Sequence, residues 1–161
     1  MLLERSGVMA LADYLSEELI RMDLASRERD GVIRGLLDSL VACKALPARL
    51  LEPAVAAILD RERLGSTAIG RGVAVPHARL EELDEVLVAF GYSRAGVEFS
   101  ALDSQPVHEV FLVIAPKGRA DEYLDLMERI TRLVQNDDFR RFVSHAKGRR
   151  DVMELIKEMD R

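Results

Sequence analysis

The chain has 161 residues, 48% of them hydrophobic, and a formal net charge of −5 with acids and bases interspersed. That size and apolar content suit one core, so a single domain over residues 1–161 is expected. The charge pattern excludes a nucleic-acid footprint, which needs a clustered basic surface; the one basic cluster, Lys147 to Arg150, is short. No apolar run approaches the ~20 residues that cross a bilayer, the longest clear one being Val110–Ala115 before Pro116. Glu4 and Arg5 interrupt the N-terminal apolar character, so no signal-peptide region is expected and the protein is placed in the cytoplasm. The one cysteine, Cys43, has no intramolecular disulfide partner and sits in an apolar pattern as a core residue.

In chain order, Glu18–Leu24 reads as a first strand. Val32, Ile33, Leu36, Leu37, Leu40 and Val41 then recur at helical spacing behind Ser26 as a cap. A second helix follows, with Leu50, Leu51, Val55, Ile58 and Leu59 on one face and Pro53 in its first turn, where proline is tolerated. After it comes the glycine-rich stretch Gly65 to Gly72, then a short apolar segment, Val73–Val75, that stops at Pro76 and His77. Val86–Ser93 and Val107–Ala115 are continuous apolar runs, the pattern of strands covered on both faces. A long amphipathic helix carries Leu124, Met127, Ile130, Leu133 and Val134 on its inner face, and a last helix starts near Arg149. The sum is an α/β fold, helices packed on both faces of a central sheet.

Gly65 and Gly70 have the spacing of a nucleotide phosphate loop, but Arg71 stands in the lysine place and Gly72 in the place of the magnesium-binding hydroxyl. A strand rather than a helix follows, so that chemistry is excluded and the glycines serve a tight turn. His77, His108 and His145 are too scattered to form a metal site, and no cofactor is expected. His108 and His145 read as structural. His77, taken alone, is either a structural hydrogen-bonding residue or a nucleophile on a rim.

The stretches "DRERLGSTAIGRGVAVPHARL", "FSALDSQPVHEVFLVIAP" and "DEYLDLMERITRLVQ" together resemble enzyme IIA of the mannitol–fructose class in the bacterial phosphoenolpyruvate:sugar phosphotransferase system, especially its nitrogen-regulatory branch. The resemblance runs from about residue 11 to the end. It implies a three-layer sandwich around a mixed sheet, and a phosphorylated histidine at the end of the signature R-E-x-x-G-S-T-x-I-G-x-G-[IV]-A-[IV]-P-H, which falls on His77. It also implies a carrier protein, HPr, as phosphoryl donor and an enzyme IIB or a regulated protein as the next partner.

By the same resemblance the phosphate clamp is the arginine sixteen residues before the histidine, Arg61; read without it, Arg61 is a solvated helix charge like Arg63. Ser66 and Thr67 are mainly turn residues. Many members of the family carry a second histidine in "D-x-H-L-x-x-L", where this chain has Tyr123. Tyr123 is either a site residue offering one neutral hydrogen bond or part of the scaffold. Three functions compete: a nitrogen-type regulator phosphorylated on His77, a sugar-specific enzyme IIA, and a binding module that has lost transfer.

Overall fold

The computed structural model describes residues 9–160, so the segment with Glu4 and Arg5 lies outside the described residues. Two 3-10 turns, Leu11–Tyr14 and Glu17–Leu19, lead into β1 (Ile20–Arg21). Then come α1 (Arg29–Ala42), a 3-10 turn at Ala48–Leu50, α2 (Leu51–Arg63), and three short strands, β2 (Ala68–Gly70), β3 (Val73–Ala74) and β4 (His77–Leu80). Two long strands, β5 (Leu87–Val97) and β6 (Val107–Pro116), precede α3 (Ala120–Val134), α4 (Asp137–Ser144) and α5 (Arg149–Met159). No helix among the described residues is long and apolar enough to cross a membrane.

The sheet is mixed. β5 and β6 are antiparallel neighbours at its centre, β1 adds to β5 in parallel, and β3 and β4 both run parallel to β6, with β2 antiparallel on β3. α1 and α2 pack on each other and against β5 and β4, while α3, α4 and α5 form the other layer. The two long apolar runs are the core of the sandwich: nearly every residue of β6 is buried, including Phe111, whose ring lies 4.7 Å from Phe90 and 6.5 Å from Phe139 of α4. Helices on both faces of the sheet are what those runs demand.

Several expectations need correction. The first strand is only Ile20–Arg21, because Glu17–Leu19 is a 3-10 turn and Asp23 onward is irregular. Ser26 does not cap α1, which starts one residue after Glu28; its hydroxyl instead accepts from the Glu28 N–H. Cys43 follows the last residue of α1 and is only partly buried against the core. Leu124 is 63% exposed, and the inner face of α3 is Leu126, Ile130, Leu133 and Val134. α4, unforeseen, is capped by Asn136, whose side chain accepts from the Asp138 and Phe139 N–H groups.

One buried group makes the core sensitive to pH. Glu109 on β6 is 4% exposed, one of its carboxyl oxygens has no hydrogen-bond partner, and burial pushes its pKa up to about 7 against a pull downward from Arg140. The folded chain therefore keeps a proton that the unfolded chain releases near pH 4.5, so stability falls as pH rises from there through about 7. Glu109→Gln is expected to remove that slope, gaining on the order of 3 kcal/mol on the wild type between the two ends of the window. Chemical denaturation of both proteins across the range checks this, and parallel curves refute it.

Candidate functional site

The glycine-rich stretch is a hairpin. Gly70 and Gly72 take φ of 93° and 82° on either side of Arg71, conformations open to glycine, and the chain turns back from β2 into β3. Beyond it the sequence reading fails in an informative way: the strand does not end at His77. β3 pairs Ala74 with Val110, β4 pairs His77 with Val113, and the register against β6 is the same on both sides of the gap. β3 and β4 thus lie on a single line of pairing, and between them the Pro76 carbonyl still accepts from the Val113 N–H at 3.0 Å.

Pro76 has no N–H to give the ladder. Beside it, the Val75 carbonyl accepts a hydrogen bond of 2.7 Å from His77 Nδ1. A carbonyl cannot donate, so Nδ1 carries the hydrogen and, in the neutral ring, the lone pair is on Nε2. Burial holds the His77 pKa below the ordinary histidine value; the Val75 bond works against this, the nearby Arg61 charge adds to it, and Glu62 opposes it. The half-buried ring is consequently neutral at pH 7 and nucleophilic at one defined nitrogen.

Arg61 and Glu62 end α2 with opposite tasks. Glu62 is buried, and its carboxylate accepts from both the Thr67 N–H and the Thr67 hydroxyl, tying the helix end to the start of β2. Arg61 Nη1 donates to the Gly65 carbonyl at 2.8 Å, which folds its guanidinium back over the turn, whereas Arg63 pairs with Asp60 in solvent. Ser66 donates to the Phe99 carbonyl and accepts from the Ala68 N–H. Both hydroxyls of the turn are therefore engaged in holding it.

Tyr123, in the first turn of α3, stands with its ring centroid 6.1 Å from that of His77. Burial raises its phenol pKa, with Arg79 and Arg61 pulling it back, so the phenol is uncharged at neutral pH. His77, Arg61 and Tyr123, chosen from separate parts of the sequence, are thus neighbours: Tyr123 meets His77 ring to ring, and Arg61's charge is felt at both. Arg79 was missed. Its guanidinium lies over the Tyr123 ring, 5.5 Å from the centroid. The signal for it is the period of two along β4, which sends positions 77 and 79 to one face.

The other histidines lie in other settings. His108 Nδ1 donates to the Ser93 carbonyl and braces β6 against β5, while His145 closes α4 with its ring nitrogen on the Arg141 carbonyl. Among the described residues no cluster of histidine, cysteine and carboxylate groups could hold a metal ion.

The architecture is that of phosphotransferase-system IIA domains. The nitrogen regulatory protein IIA-Ntr of Neisseria meningitidis superposes with a TM-score of 0.83 at 23% identity, over 91% of this chain and 98% of that one. The IIA chain in the Escherichia coli complex of enzyme IIAMTL and phosphorylated enzyme IIBMTL superposes with a TM-score of 0.74 at 22% identity, over 89% and 97%. Residues 13–159 match the family "Phosphoenolpyruvate-dependent sugar phosphotransferase system, EIIA 2", and the chain belongs to that family, a phosphotransferase component with a phosphoryl-carrier role. Among named relatives, the fructose-specific EIIABC component of Bacillus subtilis is 30% identical over 95% of this chain, which spans 24% of that longer protein. A nitrogen regulatory protein of Bradyrhizobium diazoefficiens is 39% identical over 62% of this chain and 65% of its own.

Proposed function

We infer that this chain is a nitrogen-type regulatory enzyme IIA that accepts a phosphoryl group on Nε2 of His77 from the carrier protein HPr. The observation that carries this is the setting of His77, a neutral, half-buried ring with Nδ1 on the Val75 carbonyl, the Arg61 charge acting on it and the Tyr123 ring beside it, which leaves Nε2 as the nucleophile. In the transfer the Nε2 lone pair forms the new N–P bond as the donor's N–P bond breaks, its electron pair returning to the donor imidazole. Nδ1 keeps its hydrogen throughout, and the ring's gain of positive charge strengthens the bond to the Val75 carbonyl. Such transfer asks mainly for alignment and charge neutralisation. Arg61 supplies the neutralisation, its planar guanidinium matching two phosphoryl oxygens at once.

Transfer between proteins calls for an open surface, and Leu64, three residues beyond Arg61, and Leu124, beside Tyr123, are both exposed apolar side chains available to a docking partner. An enzyme IIB is one acceptor class, by analogy with the mannitol complex. A second reading, a sugar-specific enzyme IIA working within one domain of a fructose-class system, draws support from the likeness to the Bacillus subtilis protein across nearly the whole chain. The test is incubation with phosphoenolpyruvate, enzyme I and HPr. Intact mass is expected to show one acid-labile phosphoryl group per chain. An unchanged mass would leave only the binding module without transfer, and onward transfer to a fructose-class enzyme IIB would select the sugar-transport reading.

A further inference from the structure

The family's second histidine is replaced here by Tyr123, a neutral side chain, and the position it would charge is not left without a cation. Arg79 and His77 emerge from the same face of β4, two residues apart, and the Tyr123 ring is a neighbour of both side chains. The His77 ring centre is 6.1 Å from the Tyr123 centroid, and the Arg79 Cζ is 5.5 Å from it. An aromatic face holds a guanidinium by the attraction of the cation to the ring quadrupole, and does so without consuming any of its N–H donors. Arg79 makes none of the side-chain hydrogen bonds or ion pairs that engage Arg34, Arg63, Arg119 or Arg129. Arg61, the other cation of the site, already spends one N–H on the Gly65 carbonyl.

Resting on His77 as the acceptor, we propose that Arg79, racked on the Tyr123 ring, is a second positioning cation of the phosphoryl site. It takes over the charge that a histidine at position 123 would carry. In this arrangement Tyr123 acts through its ring as a platform, and its hydroxyl is dispensable. The phosphoryl group on His77 is a dianion, so it draws the guanidinium toward Nε2 while the arginine stem stays anchored on β4. The tyrosine ring is a platform on which a guanidinium rests by its charge, and Arg79 occupies it in this chain.

The effect is electrostatic and partly exposed, so it is modest in size and sensitive to salt. The measurement is the equilibrium partition of phosphoryl between HPr and this protein, which is independent of docking rates. At low ionic strength Arg79→Ala is expected to shift the partition roughly fivefold toward phospho-HPr, and the shift should shrink as salt is added. Arg79→Lys, which keeps the charge but not the planar stack, should recover part of it. Tyr123→Phe keeps the platform and should stay within about twofold of wild type, whereas Tyr123→Leu should match Arg79→Ala, and the double variant should be no worse than either alone.

A structural defect would not fade with salt or be rescued by lysine. A wild-type partition in Arg79→Ala at low salt overturns the proposal, as does a loss in Tyr123→Phe equal to that in Tyr123→Leu, which would transfer the role to the hydroxyl. Failure of the wild-type protein itself to accept phosphoryl on His77 would instead refute the function on which the proposal stands.

Discussion

Replacing His77 with alanine is expected to abolish phosphorylation by phosphoenolpyruvate, enzyme I and HPr, with no residual labelling on His108 or His145. All three imidazoles have a carbonyl on Nδ1, so the tautomer alone does not distinguish them. The neighbourhood does. His77 has an arginine charge acting on it and an uncharged aromatic at its side, whereas His108 is wedged between the Gly72 and Gly96 turns, its ring carbons within 3.5 Å of where a β-carbon on either glycine would sit. Peptide mapping of the labelled protein under alkaline conditions identifies the residue. Label on His108, or retained label in His77→Ala, would remove the acceptor from β4. The wild-type rate should also hold below the usual histidine titration range, because the depressed pKa keeps the ring neutral to lower pH and the nucleophile is lost only on protonation.

The second large effect is expected at Arg61. Truncation to alanine should slow phosphoryl acceptance by a factor on the order of 10², the range found when a preorganised group that meets developing charge is removed. Arg61→Lys should restore only part of it, since an ammonium is a point charge and cannot reproduce the two-pronged geometry of guanidinium. The Gly65 carbonyl loses a donor in both variants, so thermal unfolding of the three proteins separates a loosened turn from a weakened site. Rates that agree among all three would assign Arg61 the same status as Arg63, an exposed charge paired with Asp60.

Much of this structure could be read before any coordinates. β5, β6 and α3 were expected because long runs carry their own evidence: many residues vote for one period, and burial on two faces leaves no polar alternation to confuse it. Short elements lack that redundancy. β1 is two residues long and is a strand only because β5 is there to pair with it. α4 has eight residues with just Phe139 and Val143 turned inward, too few to establish a period, although Asn136 followed by two aspartates was a readable helix start. The inner face of α3 was misphased at its first turn, where Leu124 and Leu126 are both apolar and only packing decides between them.

The site divides along a similar line. His77, Arg61 and Tyr123 were chosen through the resemblance, and their proximity is a property of the fold that no spacing in the chain states. Arg79 was lost for a local reason. Proline ordinarily closes a strand, so the period of two was not carried past Pro76 to the residues that share a face with the histidine. Glu109 was lost for a different one, since an isolated acid inside an apolar run gives no hint of whether it finds a partner.

The unbroken register of β3 and β4 along β6 makes the central strand a ruler for residue number. Val75 and Pro76 fill two places on that ruler, the Pro76 carbonyl taking the Val113 N–H at 3.0 Å, so their count sets where the histidine falls. Removing or adding one residue there would turn the imidazole through half a pleat to the opposite face of the sheet, away from Tyr123, and would carry Arg79 with it. Length in this segment is therefore fixed by the strand beside it: a change in the number of residues before the histidine has to be repaired by a bulge elsewhere in the same strand.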